Sequence, residues 1–318
     1  MITYIIRRLL LAVVILFLVT VMVFFGMRLL PGDPILLLVT SVEAEGLSIE
    51  AYEKLRKEHG LDRPMVVQYI DWLGGVVQGD LGNSILRRTP VIDEIMQRIP
   101  ITLHLGATAY IIGLLVGIPA GTICAVRRGK LIDTIITVLA NIGITVPVFW
   151  LGIMLIYLFS LELGWLPVQG YTSPFVDFWR STKQIILPVF CMSVWGVASL
   201  TRQTRSSMLE VMNQDYIRTA RAKGLTESMI IIKHAMKNGL IPILTLAGMG
   251  LAMIIAGSVI IEMVFNIPGI GRLLIGSIIN KDYPYVEAIV LIIAATVLLI
   301  NLLVDLAYGW LDPRIRYG

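Results

Sequence analysis

The sequence contains few charged residues. Asp, Glu, Lys and Arg make up 15% of its 318 residues, whereas 57% are hydrophobic, and the mean hydropathy is +0.82. An ordinary soluble domain has about one-quarter charged residues and under one-half apolar residues. This scarcity excludes a disordered chain, a nucleic-acid-binding arm and a typical soluble enzyme, and it indicates a polytopic membrane protein.

Cysteine and the common catalytic motifs are also scarce or missing. Cys124 and Cys191 are too few for a disulfide framework or a metal cluster. The sequence has no G-x-x-x-x-G-K-[ST] phosphate-binding motif and no H-E-x-x-H zinc motif. We therefore expect no catalytic residue, metal or cofactor on this chain.

The apolar runs carry no acidic residue at their centres. A proton- or sodium-driven carrier or an intramembrane protease usually needs such groups. This absence favours transport driven by another subunit, with a stand-alone secondary carrier or channel as the less favoured alternative.

Long uncharged runs are abundant. Each is long enough to cross roughly 30 Å of hydrocarbon as a helix, and lipid forces a backbone to satisfy its own hydrogen bonds. The runs cover residues 9–27, 99–126, 134–161, 184–201, 238–261 and 288–304. The sequence therefore predicts an all-α membrane protein with six transmembrane helices.

The distribution of charge predicts the orientation. The two ends and the connections after spans two and four hold 14 Lys and Arg against 6 Asp and Glu, whereas the other segments hold 12 against 16. The excess of Lys and Arg marks the cytoplasmic side, so both termini are expected there. The segment of about 70 residues between spans one and two is then extracytoplasmic. Helical patterns over 49–59 and 64–77 predict that it folds as a small module.

A stripe of small residues runs along span two. Gly113, Gly117 and Gly121 recur every four residues, which lets another helix approach closely. The stripe predicts helix packing either within the six-helix bundle or at a dimer seam.

The connection after span four, residues 202–237, is the most unusual stretch. Residues 202–223 have the pattern of a basic helix, and Gly224 follows as a left-handed C-terminal cap. Thr226 can cap a second helix over 227–237, on which Met229, Ile230 and Ile232 are expected to be exposed. Such a pair of helices could dock another protein or lie on anionic lipid, and the pattern alone leaves both open.

This connection also carries a resemblance. Tyr-Ile-Arg-Thr-Ala-Arg-Ala-Lys-Gly-Leu at 216–225 and Lys-His-Ala-Met-Lys-Asn-Gly-Leu-Ile-Pro at 233–242 resemble the ATPase-docking loop of binding-protein-dependent ABC importer permeases, in the dipeptide/oligopeptide/nickel branch. Gly-Leu-Asp-Arg-Pro at 60–64, Gly-Asp-Leu-Gly-Asn-Ser at 79–84 and Asp-Pro-Arg-Ile-Arg-Tyr-Gly at 312–318 extend the resemblance along nearly the whole chain. The general loop begins Glu-Ala-Ala, whereas this sequence has Arg218, Thr219 and Ala220.

The resemblance implies a type I ABC importer permease fold and an importer of di- or oligopeptides, with nickel or another small solute as the alternative. It implies a homologous second permease, two cytoplasmic ATPase subunits that hold ATP and magnesium, and an extracytoplasmic solute-binding protein as partners. The residues it assigns to ATPase docking are Tyr216, Arg218, Thr219, Ala220, Arg221, Lys223, Gly224, Leu225, Glu227, Ile230, Ile232, Lys233, His234 and Lys237.

The sequence also suggests a division of the chain. Residues 1–29 form the first helix, 30–98 the extracytoplasmic module, 99–309 the importer transmembrane domain and 310–318 a cytoplasmic tail. After span five, an outer gate, a binding-protein contact or simply a packed turn is expected at Glu262, Phe265, Pro268, Gly269 and Gly271.

Overall fold

A computed structural model describes residues 2–36, 49–256 and 258–311 of the protein. The regular structure in these ranges is helical, apart from one isolated antiparallel bridge between Asn83 and Pro90. The expected all-α fold is therefore confirmed. Residues 312–318 of the expected cytoplasmic tail lie outside the described ranges.

We number the helices in chain order. They are α1 Ile2–Leu29, α2 Ile49–Glu58, α3 Met65–Val77, α4 Val91–Val126, α5 Leu131–Thr145, α6 Val148–Glu162, α7 Phe178–Met212, α8 Asp215–Ala222, α9 Glu227–Gly239, α10 Ile241–Ala256, α11 Val259–Val264, α12 Ile270–Ile279 and α13 Tyr283–Leu311. Two stretches widen into π-helix, at Ile156–Glu162 in α6 and Ile230–Ala235 in α9.

The helices account for the apolar runs. In the described ranges, α1, α4, α7 and α13 are each long and apolar enough to cross a membrane, and two bent helix pairs raise the number to six if each pair forms one span. The sharper bend, 102°, separates α5 from α6. Pro147 explains it, because proline lacks an N–H donor and pushes the preceding Val146 into extended backbone at ψ 124°.

The chain divides into two compact units. The first unit contains residues 1–101 and 268–318. Its described core is apolar around Val91, Ile95 and Tyr285, with a second cluster that includes Met27 and Ile35. The segment expected to form an extracytoplasmic module falls inside this unit.

The second unit contains residues 102–267. Its helix α4 presents the glycine stripe to α7. A Cβ atom added to Gly117 would lie 2.8 Å from Cβ of Leu200, and one added to Gly121 would lie 2.6 Å from Cβ of Thr204. Gly113 makes ordinary van der Waals contact with the same helix. The stripe is therefore used for close packing inside the chain.

A candidate docking elbow at helices α8 and α9

The turn between α8 and α9 is built on Gly224. Its φ of +75° lies in the left-handed region, which glycine enters without a Cβ clash. The Gly224 N–H donates to the Arg221 carbonyl at 2.9 Å, and the Leu225 N–H donates to the Ala220 carbonyl at 3.4 Å. These two bonds form a Schellman cap, so Gly224 is the left-handed cap that the sequence predicted. The prediction of a single helix over 202–223 was wrong, because α7 ends at Met212 and α8 begins at Asp215. We call residues 215–239 the elbow.

Helix α9 begins with a side-chain cap. Thr226 Oγ1 accepts a hydrogen bond from the Met229 N–H at 3.4 Å. Across the turn, Arg221 donates from Nε to Glu227 Oε1 at 2.8 Å and from its second nitrogen to Oε2 at 3.4 Å. The carboxylate holds the pKa of Arg221 above its usual value. This two-pronged ion pair links the end of α8 to the start of α9 across the turn.

The inner side of the elbow is apolar. Ile217, Ala220, Ile230 and Ala235 are buried together with Met208 of α7. The expectation that Ile230 is exposed was wrong, because only 1% of it is accessible. Ile230 packs into this apolar cluster, whereas Met229 and Ile232 of the same helix are exposed.

The elbow is fastened to α7. Ser207 Oγ donates to the Gly239 carbonyl at 2.7 Å. A Cβ on Gly239 would lie 2.7 Å from Sδ of Met208, so a larger residue here would require the Met208 side chain to move. At the other edge, Asn238 Nδ2 donates to the Tyr216 hydroxyl at 2.9 Å and joins the two helices of the elbow.

The outer side of the elbow combines apolar and basic side chains. Ile232 is 65% accessible, Met229 46% and Tyr216 41%. Of the docking residues expected from the sequence, Ala220 and Ile230 are buried, and Leu225 and His234 are half-buried. The exposed ones are Tyr216, Arg218, Thr219, Arg221, Lys223, Gly224, Glu227, Ile232, Lys233 and Lys237.

Arg218 stands where the general loop of the resembled family has its acidic residue. It forms a 3.4 Å ion pair with Asp215 of its own helix, and its side chain is 73% exposed. The cation therefore adds to the basic outer side of the elbow.

An ion pair near the elbow was not foreseen from the sequence. Arg205 of α7 donates to both carboxylate oxygens of Asp133, at 2.7 and 2.9 Å. Asp133 also accepts from the Gly129 N–H at 3.0 Å, at the start of α5. The sequence offered one signal, a carboxylate in the first turn of the third span, but nothing that named its partner.

The residues after span five are packed. Glu262 is fully buried and accepts hydrogen bonds from Thr102 at 2.7 Å and Ser258 at 2.8 Å. Phe265 is 2% accessible, Gly269 and Gly271 are buried, and Pro268 is half-buried. These residues are therefore packed within the chain, and the outer gate and the binding-protein contact stay predictions.

Comparison with known proteins gives a consistent picture. The family model described as "Binding-protein-dependent transport system inner membrane component" matches residues 117–317, and a model for the N-terminal part of such membrane components matches residues 1–106. The chain is 42% identical to the oligopeptide transport system permease protein AppB of Bacillus subtilis (strain 168), over 100% of both chains. It is 39% identical to the dipeptide transport system permease protein DppB of Escherichia coli (strain K12), over 100% of this chain and 99% of that one.

A solved structure shares the fold. The MetNI methionine ABC transporter, crystallised in inward-facing conformations, contains a chain that superposes with a TM-score of 0.57 at 18% identity. The match covers 70% of this chain and 97% of that one. At this identity, the similarity concerns the arrangement of helices alone.

Proposed function

The chain belongs to the family of inner membrane components of binding-protein-dependent transport systems, and on that basis we propose that it imports di- or oligopeptides as one half of a permease pair. It is a membrane-spanning permease of an ABC importer. The peptide substrate is supported by two full-length relatives about 40% identical to this chain, an oligopeptide and a dipeptide transport permease. A homologous permease would supply the other half of the translocation path.

We propose that the elbow docks a cytoplasmic ATPase subunit, which also places both termini in the cytoplasm. The main support is that Met229 and Ile232 are exposed apolar side chains of the elbow, and that a hydrogen bond holds the elbow to α7. Apolar side chains at this exposure, with lysines beside them, match the interface pattern of an apolar centre and a charged rim. The nucleotide and magnesium would belong to the ATPase, and an extracytoplasmic binding protein would deliver the peptide.

The length of α7 favours a protein partner over a lipid surface for the elbow. The uncharged run 184–201 covers about 27 Å as a helix, close to the hydrocarbon thickness. Helix α7 then continues from Arg202 to Met212, which adds about 16 Å. The headgroup layer of one leaflet is only about 5–7 Å thick, so α7 carries the start of the elbow past the lipid surface.

The substitution Ile232→Glu tests this docking surface. Ile279→Glu is a matched control, because Ile279 is also an exposed isoleucine, at 67% against 65% for Ile232. We expect Ile232→Glu to abolish copurification of the ATPase and peptide uptake, while the amount of membrane-inserted chain and its pairing with the second permease stay unchanged. The control should retain the ATPase. Normal ATPase recovery with Ile232→Glu would refute docking at the elbow.

A further inference from the structure

Helix α3 of the first unit has three distinct sides. Tyr69 and Trp72 point into the unit, and Gln68 and Asp71 form a polar side. The third side is apolar and open: Val66 is 60% accessible, Ile70 62% and Val77 81%. These three residues lie at i, i+4 and i+11, which places them on one stripe of the helix. An open apolar stripe beside a polar stripe is the pattern of a helix that lies in a membrane interface.

Contacts with α1 measure how deep α3 lies. The Tyr69 hydroxyl is 2.9 Å from Thr20 Oγ1. The Tyr69 and Trp72 rings lie 5.2 and 5.7 Å from the Phe24 ring, between centroids. Nearer the end of α1, Arg28 Nε donates to Gln68 Oε1 at 3.0 Å. The contacts therefore extend from Arg28 back to Thr20, eight residues or about 12 Å along α1.

The position of α1 in the bilayer follows from its length. Its apolar part, Ile5–Leu29, has 25 residues and covers about 37 Å, a little more than the roughly 30 Å of hydrocarbon. The charged Arg28 belongs at the boundary, so Phe24 and Thr20 lie inside the hydrocarbon. Side chains of α3 that contact Phe24 and Thr20 must reach the same depth.

We propose that α3 lies in the lipid interface of the leaflet in which α1 ends, with Val66, Ile70 and Val77 among the acyl chains. The partner of this stripe is lipid, the same medium that covers the exposed apolar side of α1, where Met22 is 74% accessible. Asp71 then faces the headgroups and water, and half-buried Gln68 lies between it and α1, where it contacts Arg28. The segment between α1 and α4 is thereby anchored in the membrane by a second apolar surface, besides α1 itself. The proposal rests on the chain spanning the membrane and does not depend on the substrate or on ATPase docking.

The experiment uses the complete importer in nanodiscs. Single cysteines are introduced as Ile70→Cys on the apolar stripe and as Asp71→Cys, its neighbour on the polar side. The native Cys124 and Cys191 are buried, so labelling of this chain, separated from its partners on a gel, reports the introduced thiols. Each cysteine carries a polarity-sensitive fluorophore, and the discs contain phosphatidylcholine with a spin label on acyl carbon 5. In parallel, the free thiols are exposed to a membrane-impermeant maleimide.

We expect at least threefold stronger quenching by the spin-labelled lipid at position 70 than at 71, and at least tenfold slower reaction with the maleimide. Both differences should persist with and without the solute-binding protein. Equal reactivity at 70 and 71 without quenching would show that the stripe faces water. Protection of position 70 without lipid quenching, or only when the binding protein is present, would show a protein partner. Either result would overturn the proposal, and Val77→Cys repeats the measurement should Ile70→Cys fail to fold.

Discussion

The first unit and the elbow are stabilised in different ways. In the first unit, charged and polar groups are buried: Arg28 and Glu287 form an ion pair with side chains 11% and 2% exposed, and the Arg28 guanidinium lies 3.3 Å from the Phe24 ring centroid. In the elbow, the buried groups are apolar, and the ion pairs lie on the surface. The first unit therefore adds buried charged pairs to its apolar core, whereas the elbow has an apolar core and one buried hydrogen bond, from Ser207 to Gly239.

Asp282 is another buried charged residue of the first unit. It is 3% accessible and accepts hydrogen bonds from Ser84 Oγ and, at 3.0 Å, from the Ile85 N–H. Burial raises the pKa of Asp282, and the hydrogen bonds partly oppose that shift. Such a carboxylate joins distant parts of the chain in one geometry, but the geometry is lost if a partner is removed. An apolar core such as that of the elbow tolerates substitution of one hydrophobic side chain by another better than a buried polar group does. It also leaves the surface charges available to a partner.

The largest effect is expected from Glu287→Ala. This change leaves the Arg28 guanidinium buried without its carboxylate, and we expect a loss of about 3–5 kcal/mol in stability. Thermal denaturation of the purified chain in detergent measures the loss. The double variant Arg28→Met with Glu287→Leu should recover most of it, because no unpaired charge remains. A single variant as stable as the wild type would show that the first unit does not depend on this pair.

A smaller effect is expected from Gly224→Val in the elbow. A non-glycine residue in the left-handed region costs about 1–2 kcal/mol, and a β-branched one is the least suited to it. Gly224→Asn is the matched control, since asparagine enters this region more readily. Uptake assays and thermal denaturation should rank glycine above asparagine above valine. Equal behaviour of all three would mean that the turn does not set the geometry of the elbow.

The smallest effect is expected from Arg221→Gln. The ion pair with Glu227 is solvent-exposed, with side chains 40% and 61% accessible, and exposed pairs contribute little to stability. We expect an unchanged melting temperature at physiological salt, and a reduced rate of ATPase association if the cation contacts the partner. A melting temperature lowered as much as by Glu287→Ala would erase the contrast between the two regions.

Local patterns predicted much of this structure. The six apolar runs, the Gly224 turn and the Thr226 cap each depend on residues close together in sequence, so composition and spacing suffice to locate them. The packing partner of the glycine stripe could not be predicted from the sequence, because a small-residue stripe fits a helix of the same chain and one of a second chain equally well.

The polar contacts could not be predicted for a different reason. Arg28 and Glu287 are 259 residues apart, and Ser84 and Asp282 are 198 apart. Each residue alone is an ordinary charge or hydroxyl, and only the fold selects its partner. Ile230 was misplaced because a short helix with several apolar residues does not reveal which of them covers its neighbour.

The attachment of the elbow to α7 has a mechanical consequence. Helix α7 has 35 residues, which makes a rod about 50 Å long, and the elbow is fixed near its end by Ser207 and Met208. The Gly239 carbonyl accepts directly from Ser207 Oγ, and the Gly239 backbone lies against the Met208 side chain, so the elbow is held close to α7. A rotation of 10° about the midpoint would move each end of the rod by about 4 Å. A displacement of the elbow is thus passed to the end of α7 that holds it, and Pro188 inside the helix is the point at which this rod can bend.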